Sequence, residues 1–224
     1  MSKLWEHYGA HDPYYGVLSA PEFHADRMDS ETLRRFFASG VQDVDAYITL
    51  AEDKFGALNF DTALDYGCGA GRLSRRLAER FRHVISVDIA ESMLALARKN
   101  IEGQNVSFEH AAHMTNTKAD FILSQMVFQH IPPSEGLRVL SKLASRLRGT
   151  GIVELPIRDK ASGTWRALRL AKRAIKAALP FTAPVIPMYA YDEREALAVL
   201  RDWRVTADHF DGPMFEFVRL IFRR

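Results

Sequence analysis

The sequence is poor in cysteine and lacks a long apolar run. Its 224 residues include one cysteine, Cys68, so no disulfide can form within the chain. This excludes a disulfide-stapled secreted scaffold and favours a reducing compartment. The first ten residues carry charges and no apolar segment typical of a signal peptide. No stretch approaches the roughly 20 apolar residues that a membrane-spanning helix needs. We therefore expect a cytoplasmic globular protein with no integral membrane segment.

Metal-ligand spacings and nucleic-acid-binding signals are also missing. The eight histidines are scattered, and no HExxH, CxxC or carboxylate ladder occurs, so no metal site is predicted. The net charge is +2, but seven basic residues and one acid fall between positions 158 and 176. The spacing predicts a basic helix at 164–179. Its basic face would either be solvated or contact an anionic acceptor or a membrane surface. Because no second basic surface or RNA-binding module is recognisable, nucleic acid is not an expected partner.

Short β-branched or aromatic runs alternate with helical periodicity from position 61 onward. This alternation is typical of a parallel sheet covered by helices, an α/β fold. The spacing predicts strands at 62–66, 84–88, 106–108, 120–124, 151–155, 204–207 and 215–222. It predicts helices at 73–81, 92–100, from 134 to about 147, and at 193–200.

Two segments stand outside this alternation. Residues 1–60 form an N-terminal extension with helical patterns at 31–37 and 41–55, and about 158–191 reads as an insertion into a domain of residues 61–224. Ligands of open α/β sheets lie at the carboxyl ends of the strands, so both segments are candidate lids. The candidate lid or substrate residues are Tyr8, Tyr14, Tyr15 and Tyr191, for which plain packing is the alternative.

A glycine-rich loop follows the first predicted strand and precedes a helix. The run Leu64-Asp-Tyr-Gly-Cys-Gly-Ala-Gly-Arg72 lets the backbone turn sharply and approach a ligand closely. Asp88 ends the next strand, where a carboxylate can accept hydrogen bonds from two ribose hydroxyls. Strand, glycine loop, helix, strand and terminal acid together predict a nucleoside-binding site, with an unliganded glycine turn as the alternative.

The spacing of the glycines bears on which nucleoside is bound. The NAD fingerprint is G-x-G-x-x-G, whereas Arg72 occupies the third glycine position here and Gly71 precedes it. Asp65, two residues before the first glycine, would repel a pyrophosphate and suits a cationic amine. An NAD-dependent oxidoreductase is thus the weaker alternative.

These residues resemble the first two motifs of the class I S-adenosylmethionine-dependent methyltransferases, over roughly residues 61–156. The resemblance implies a Rossmann-like, doubly wound, mostly parallel sheet of seven strands whose last strand is antiparallel. It also implies S-adenosylmethionine as cofactor. The implied contacts are Asp65, Gly67, Cys68, Gly69 and Gly71 at the methionine end, Asp88 at the ribose, and Ile89 and Met93 at the adenine. The stretch after the third strand lacks the acid of many family members, which leaves Ala112 and His113 as the adenine contacts.

His130 is the candidate catalytic residue. It follows the fourth predicted strand, and a histidine titrates in the range needed of a general base. A helix-start histidine that hydrogen-bonds the backbone is the alternative. Gln125, where that strand ends, is expected to line the pocket. Glu154 in the fifth strand would either contact the acceptor or lie in solvent.

The resemblance and these residues together predict transfer of a methyl group to an oxygen or nitrogen of a small-molecule acceptor, with a leaning towards a sugar or other metabolite. A catalytically silent regulator that binds the cofactor is a further alternative, because fold alone does not prove chemistry. The sequence indicates no oligomeric state.

Overall fold

The computed structural model describes residues 2–101, 105–160 and 186–224, in which helices cover both faces of one sheet. The helices are α1 Ser2–His11, α2 Pro13–Val17, α3 Ser30–Phe55, α4 Arg72–Arg80, α5 Glu91–Asn100, α6 Pro133–Arg146 and α7 Glu193–Val199. The strands are β1 Thr62–Tyr66, β2 His83–Asp88, β3 Val106–His110, β4 Ala119–Ser124, β5 Leu147–Asp159, β6 Arg204–Asp211 and β7 Phe215–Arg223.

The sheet has seven strands in the order β3-β2-β1-β4-β5-β7-β6. Neighbouring strands from β3 to β5 pair in parallel, whereas β7 runs antiparallel to both β5 and β6. The order reverses at β1, where parallel strands open a crevice at their carboxyl ends. The predicted doubly wound fold with an antiparallel last strand is confirmed.

Adjacent residues of the central strands serve opposite faces of the sheet. Ala63 and Phe121 pack with α3 and α4 on one face. Leu64 and Ile122 pack with α6 and α7 on the other. Because both faces are covered, the central strands read as continuous apolar runs rather than as alternating patterns.

The N-terminal extension departs from its predicted form. The patterns at 31–37 and 41–55 belong to one helix, α3, of 26 residues, which the Asp29 side chain caps by accepting from Thr32 N–H. Gly40 lies in its middle and does not break it. A Cβ there would be 2.3 Å from the Arg72 carbonyl oxygen, so the glycine permits close approach of α3 to α4.

Strand β5 is longer than the predicted 151–155. It pairs with β7 from Thr150 to Asp159, and this long antiparallel partner extends it beyond the apolar run. The basic segment 164–179 and most of the predicted insertion lie outside the described residues. Within the described ranges, no helix is long and apolar enough to cross a membrane.

Candidate functional site

A cavity of about 1100 Å³ lies at the carboxyl ends of the strands. Its floor includes Gly67 after β1, Asp88 at the end of β2 and Gln125 after β4. Trp5 of α1 and Val17 of α2 contribute to its wall, so the N-terminal extension takes part in the site. This position agrees with the crevice expected of an open α/β sheet.

The glycine loop turns under the cavity through three residues with positive φ. Gly67, Gly69 and Gly71 have φ of 82°, 51° and 86°, a region that other residues rarely adopt. A Cβ on Gly67 would lie 2.2 Å from Val127, and one on Gly69 would lie 2.5 Å from Val17. Gly67, Cys68 and Gly69 line the cavity, whereas Gly71 supports the turn into α4 from behind.

Asp88 is held rigidly at the tip of β2. One carboxylate oxygen accepts from Gly69 N–H and the other from Ala90 N–H, both at 2.9 Å. Burial raises the pKa of Asp88, against the lowering effect of these hydrogen bonds. Each carboxylate oxygen keeps a second lone pair, so the group can still accept from the two hydroxyls of a ribose. The residue type and geometry fit the predicted ribose contact.

Asp65 lies beneath the glycine loop, where Ser74 Oγ donates to its carboxylate at 2.6 Å. Burial raises the pKa of Asp65 to about 6. The Asp88 carboxylate nearby adds to this rise. A cationic amine in the cavity would be attracted to this acidic pair.

Arg72 is a site residue whose structural role the sequence did not reveal. Its side chain is 4% exposed, and it donates to Asp43 at 2.7 Å, to Ser39 at 3.1 Å and to the Gln125 side-chain oxygen. Gln125 in turn donates to Asp43 at 3.2 Å. Gln125 therefore lines the cavity as predicted, fixed by a network that ties α3 and α4 to the end of β4.

The two predicted adenine-side regions are placed differently. Ile89 and Met93 line the cavity beside Asp88. Ala112 and His113 are exposed and do not line it, and Ala111 does so instead. The backbone leaves the cavity after Ala111, one residue before the predicted contacts, at the short 3₁₀ turn Ala111–His113.

His130 lines the cavity and uses both ring nitrogens. Nδ1 lies 3.0 Å from the Pro187 carbonyl oxygen, and Nε2 lies 3.0 Å from the Gln129 amide nitrogen. The ring of Trp5 meets it edge-on, with centroids 5.0 Å apart. Burial lowers the pKa of His130. A carbonyl can only accept, so Nδ1 carries the hydrogen and Nε2 keeps its lone pair.

The candidate tyrosines separate into two groups. Tyr15 lines the cavity and stacks on His24, with centroids 3.8 Å apart. Tyr8 and Tyr14 pack within the extension instead, and Tyr14 also approaches Asn100 of α5. Trp5 of α1 is the ring next to His130.

Glu154 and Tyr191 lie outside the cavity lining. Glu154 is 3% exposed and accepts from Tyr47 at 2.6 Å and from Arg219 at 2.8 Å. Tyr191 donates to the backbone oxygens of Phe128 and Ile131. Both are bonded within the core, and Tyr191 thereby supports the turn that carries His130. Among the described residues no cluster suited to a metal ion is found.

Part of this chain is similar in sequence to known proteins. Residues 63–151 match the family model for a methyltransferase domain. The chain is 31% identical over 99 residues to a ubiquinone biosynthesis O-methyltransferase of Aeromonas salmonicida, covering 41% of this chain and 42% of that protein. It is 28% identical over 142 residues to a malonyl-[acyl-carrier protein] O-methyltransferase of Acetivibrio thermocellus, covering 56% and 49%. The chain thus spans about half the length of the curated relatives it matches.

A solved structure resembles the whole fold. The magnesium protoporphyrin IX methyltransferase of Synechocystis PCC 6803, crystallised with bound S-adenosylhomocysteine, superposes with a TM-score of 0.67 and 20% identity. The match covers 100% of this chain and 97% of that one. At this identity the likeness concerns the fold.

Proposed function

Residues 63–151 are a methyltransferase domain within a class I, Rossmann-like methyltransferase fold, and from this premise we propose that the chain transfers a methyl group from S-adenosylmethionine to an oxygen of a small-molecule acceptor. The glycine loop resembles that of the class I S-adenosylmethionine-dependent methyltransferases, in agreement with the family model. We choose oxygen because the two sequence relatives described above, which match over 99 and 142 residues, are named O-methyltransferases. Residues 1–60 would act as an extension that closes over the site of a domain formed by residues 61–224.

The observation that carries the proposal is the pairing of the glycine loop with Asp88 at one end of a large cavity. Three glycines with positive φ place no side chain of their own towards a ligand, and Asp88 offers a fixed pair of acceptors 2.9 Å from Gly69 and Ala90 N–H. Asp65 would face the amino-acid part of the cofactor. Ile89 and Met93 would contact its base, and Ala111 rather than Ala112 or His113 would complete that side.

The chemistry requires alignment, exclusion of water and removal of one proton. The bound cofactor supplies a methyl group activated by an adjacent sulfonium centre. His130 would accept the hydroxyl proton at Nε2, because Pro187 holds the hydrogen on Nδ1. The acceptor hydroxyl would displace the Gln129 amide from that lone pair.

Calorimetric titration with S-adenosylhomocysteine and with NADH tests the cofactor assignment. We expect S-adenosylhomocysteine to bind and NADH not to bind, because Asp65 would repel a pyrophosphate and Arg72 replaces the third glycine of the NAD fingerprint. Asp88→Asn should weaken S-adenosylhomocysteine binding by about 1–3 kcal/mol, since a charge-assisted hydrogen bond is lost. Preferential binding of NADH would overturn the proposal.

His130→Ala separates binding from chemistry. It should leave S-adenosylhomocysteine affinity within about two-fold, since His130 lies on the acceptor side, and reduce methyl transfer by about 10²-fold or more. Transfer is followed as S-adenosylhomocysteine released in the presence of hydroxyl-bearing small molecules. Full activity of the variant would remove His130 from the mechanism, and a silent regulator would show binding without any transfer.

A further inference from the structure

The cavity extends well beyond the part assigned to the cofactor. It is lined from Asp88 on β2 and Gly67 after β1, past Gln125 after β4, to Asp159 on β5 and Phe215 on β7. These five strands are consecutive in the sheet, and four spacings of about 4.8 Å make roughly 19 Å. A volume of about 1100 Å³ is above the roughly 300–1000 Å³ of ordinary ligand pockets. The half over β5 and β7 is therefore available to the acceptor.

Methionine and phenylalanine side chains form the wall of this acceptor half. Three segments of the chain line it together, and they contribute Met126, Met188, and the group Met214, Phe215 and Phe217. Met126 and Met214 are 43% and 48% exposed, and they are two of the three exposed large apolar side chains in the described ranges. Exposed apolar side chains that gather in one cavity indicate an apolar ligand. Thioethers are flexible and make favourable contacts with aromatic rings.

Charge in the cavity disfavours an anionic acceptor. Among the described lining residues Arg72 is the one cation. Its guanidinium already donates hydrogen bonds to Asp43, Ser39 and Gln125. Asp159 and Glu135 line the same cavity with carboxylates. A phosphate or carboxylate on the acceptor would be repelled there, and a sugar would turn several hydroxyls towards an apolar wall.

The polar end has one buried hydrogen-bond acceptor without a donor. The Gln129 side-chain oxygen is buried, and within the described chain it has no hydrogen-bond partner. Beside it, the lone pair of His130 Nε2 accepts from the Gln129 amide N–H. Both residues line the cavity, so a ligand hydroxyl would donate to the Gln129 oxygen or, by displacing the Gln129 amide, to His130 Nε2.

We propose that the acceptor is an uncharged, apolar aromatic compound bearing a hydroxyl group, with its rings among Met126, Met214 and Phe217 and its hydroxyl at Gln129 and His130. This inference rests on the proposed function and adds the class of substrate to it. The rings would be held by burial of apolar surface and by sulfur–aromatic contacts. The hydroxyl would donate its one hydrogen to the Gln129 oxygen in the resting complex and to His130 Nε2 when the proton is transferred.

Calorimetric titration with 2-naphthol tests the substrate class, on the protein alone and saturated with S-adenosylhomocysteine, with glucose as the polar comparison. We expect 2-naphthol to bind in both states and glucose to bind in neither. Met214→Glu should weaken 2-naphthol binding at least ten-fold, because a carboxylate would replace an apolar wall residue. Met214→Gln, which keeps the side-chain length, should give a smaller loss.

Val41→Glu is the matched control, since Val41 is 37% exposed on α3 and does not line the cavity. It should leave the 2-naphthol affinity unchanged. Absence of 2-naphthol binding, equal affinities of the Met214→Glu and Val41→Glu variants, or tighter binding of glucose would each overturn the inference. S-adenosylhomocysteine binding is measured on the same samples. If it is retained while 2-naphthol fails to bind, the substrate class is wrong and the proposed function stands; if it is lost as well, the proposed function fails. Each variant is compared by thermal unfolding, and a Met214→Glu variant that does not fold is replaced by Met214→Gln, whose unchanged affinity would equally overturn the inference.

Discussion

At the residue scale, the environment of His130 fixes both its charge and its tautomer. Burial lowers its pKa, so the ring is neutral at physiological pH, as a base must be. The Pro187 carbonyl oxygen accepts a hydrogen bond from Nδ1–H of His130. The sequence could place a histidine after β4, but it could not show these partners, since Pro187 is 57 residues away in the chain.

Long-range ¹H–¹⁵N NMR of the imidazoles measures this state directly. We expect His130 to carry its hydrogen on Nδ1 and to titrate with a pKa below 6.5. Because the folded pKa is lowered, the unfolded chain binds more protons, and the free energy of unfolding should fall as pH drops below about 6.5.

His130→Gln assigns the signal, and His209→Ala, at an exposed histidine, serves as control. A hydrogen on Nε2 or a pKa above 6.5 would contradict the assignment. A hydrogen on Nε2 would also remove the lone pair that proton transfer requires.

The pKa of Asp65 is shifted in the opposite direction to that of His130. Burial raises its pKa to about 6, so near neutral pH the folded protein holds a desolvated carboxylate. In the unfolded chain the group ionises near 3.9. Its stabilising contribution is present at low pH and is lost as pH rises through about 6.

Asp65→Asn should therefore stabilise the ligand-free protein more at pH 8 than at pH 5, by about 1.4 kcal/mol. The same variant should weaken S-adenosylhomocysteine binding, because the carboxylate proposed to attract the cofactor's amine is neutralised. Urea unfolding at the two pH values measures the first effect, with Asp53→Asn on an exposed position of α3 as control. An equal effect of Asp65→Asn at both pH values would contradict the assigned pKa.

At the element scale, α1 is attached to the sheet through the start of α5. The Glu6 carboxylate accepts from Glu91 N–H at 2.6 Å and from Ser92 N–H at 3.1 Å, where α5 has no cap of its own. Burial alone would raise the pKa of Glu6, but the hydrogen bonds from Ser92 and Glu91 hold it below its usual value. An acid at a helix N-terminus also interacts favourably with the helix dipole.

Glu6→Ala is expected to lower the free energy of unfolding by about 1 kcal/mol, as loss of a helix cap does. Chemical denaturation measures the change, and Glu22→Ala, an exposed glutamate of the same extension, is the control. If both variants unfolded at the same denaturant concentration, the hydrogen bonds of Glu6 would contribute nothing.

Element types were predictable because β1, β2 and β4 combine apolar runs with helices that follow at 3.6-residue spacing. The ends of α3 and β5 could not be predicted from the sequence. Gly40 resembles a helix end in sequence, but its close contact with α4 is a tertiary feature. The length of β5 depends on β7, some sixty positions later.

At the scale of the whole molecule, the part of the extension before Val44 packs with the glycine loop and α5 in two clusters separate from the cores on the sheet. One contains Tyr8 and Met93, and a second contains Phe23 and Phe36. The two cores on the faces of the sheet include no residue before Val44. The glycine loop, Asp88 and His130 could be predicted because they follow strands in sequence. Trp5 and Met214 could not, since they reach the cavity from distant segments.

Removal of residues 2–28 tests this arrangement. The shortened protein should still unfold in one cooperative transition, because both cores on the sheet remain, although at a lower temperature. Its affinity for S-adenosylhomocysteine should fall five-fold or more, since Trp5, Tyr15 and Val17 no longer cover the cavity. Calorimetry measures both quantities. Loss of cooperative unfolding would show that the extension belongs to the central core.

The placement of β7 between β5 and β6 has a consequence for synthesis on the ribosome. The β6 segment is translated before β7, yet β7 is its neighbour in the sheet and joins it to β5. A nascent chain must therefore hold β6 unpaired until β7 has left the exit tunnel. Phe215 and Phe217 arrive with β7, so a partly translated polypeptide has no finished compartment in which to receive its acceptor.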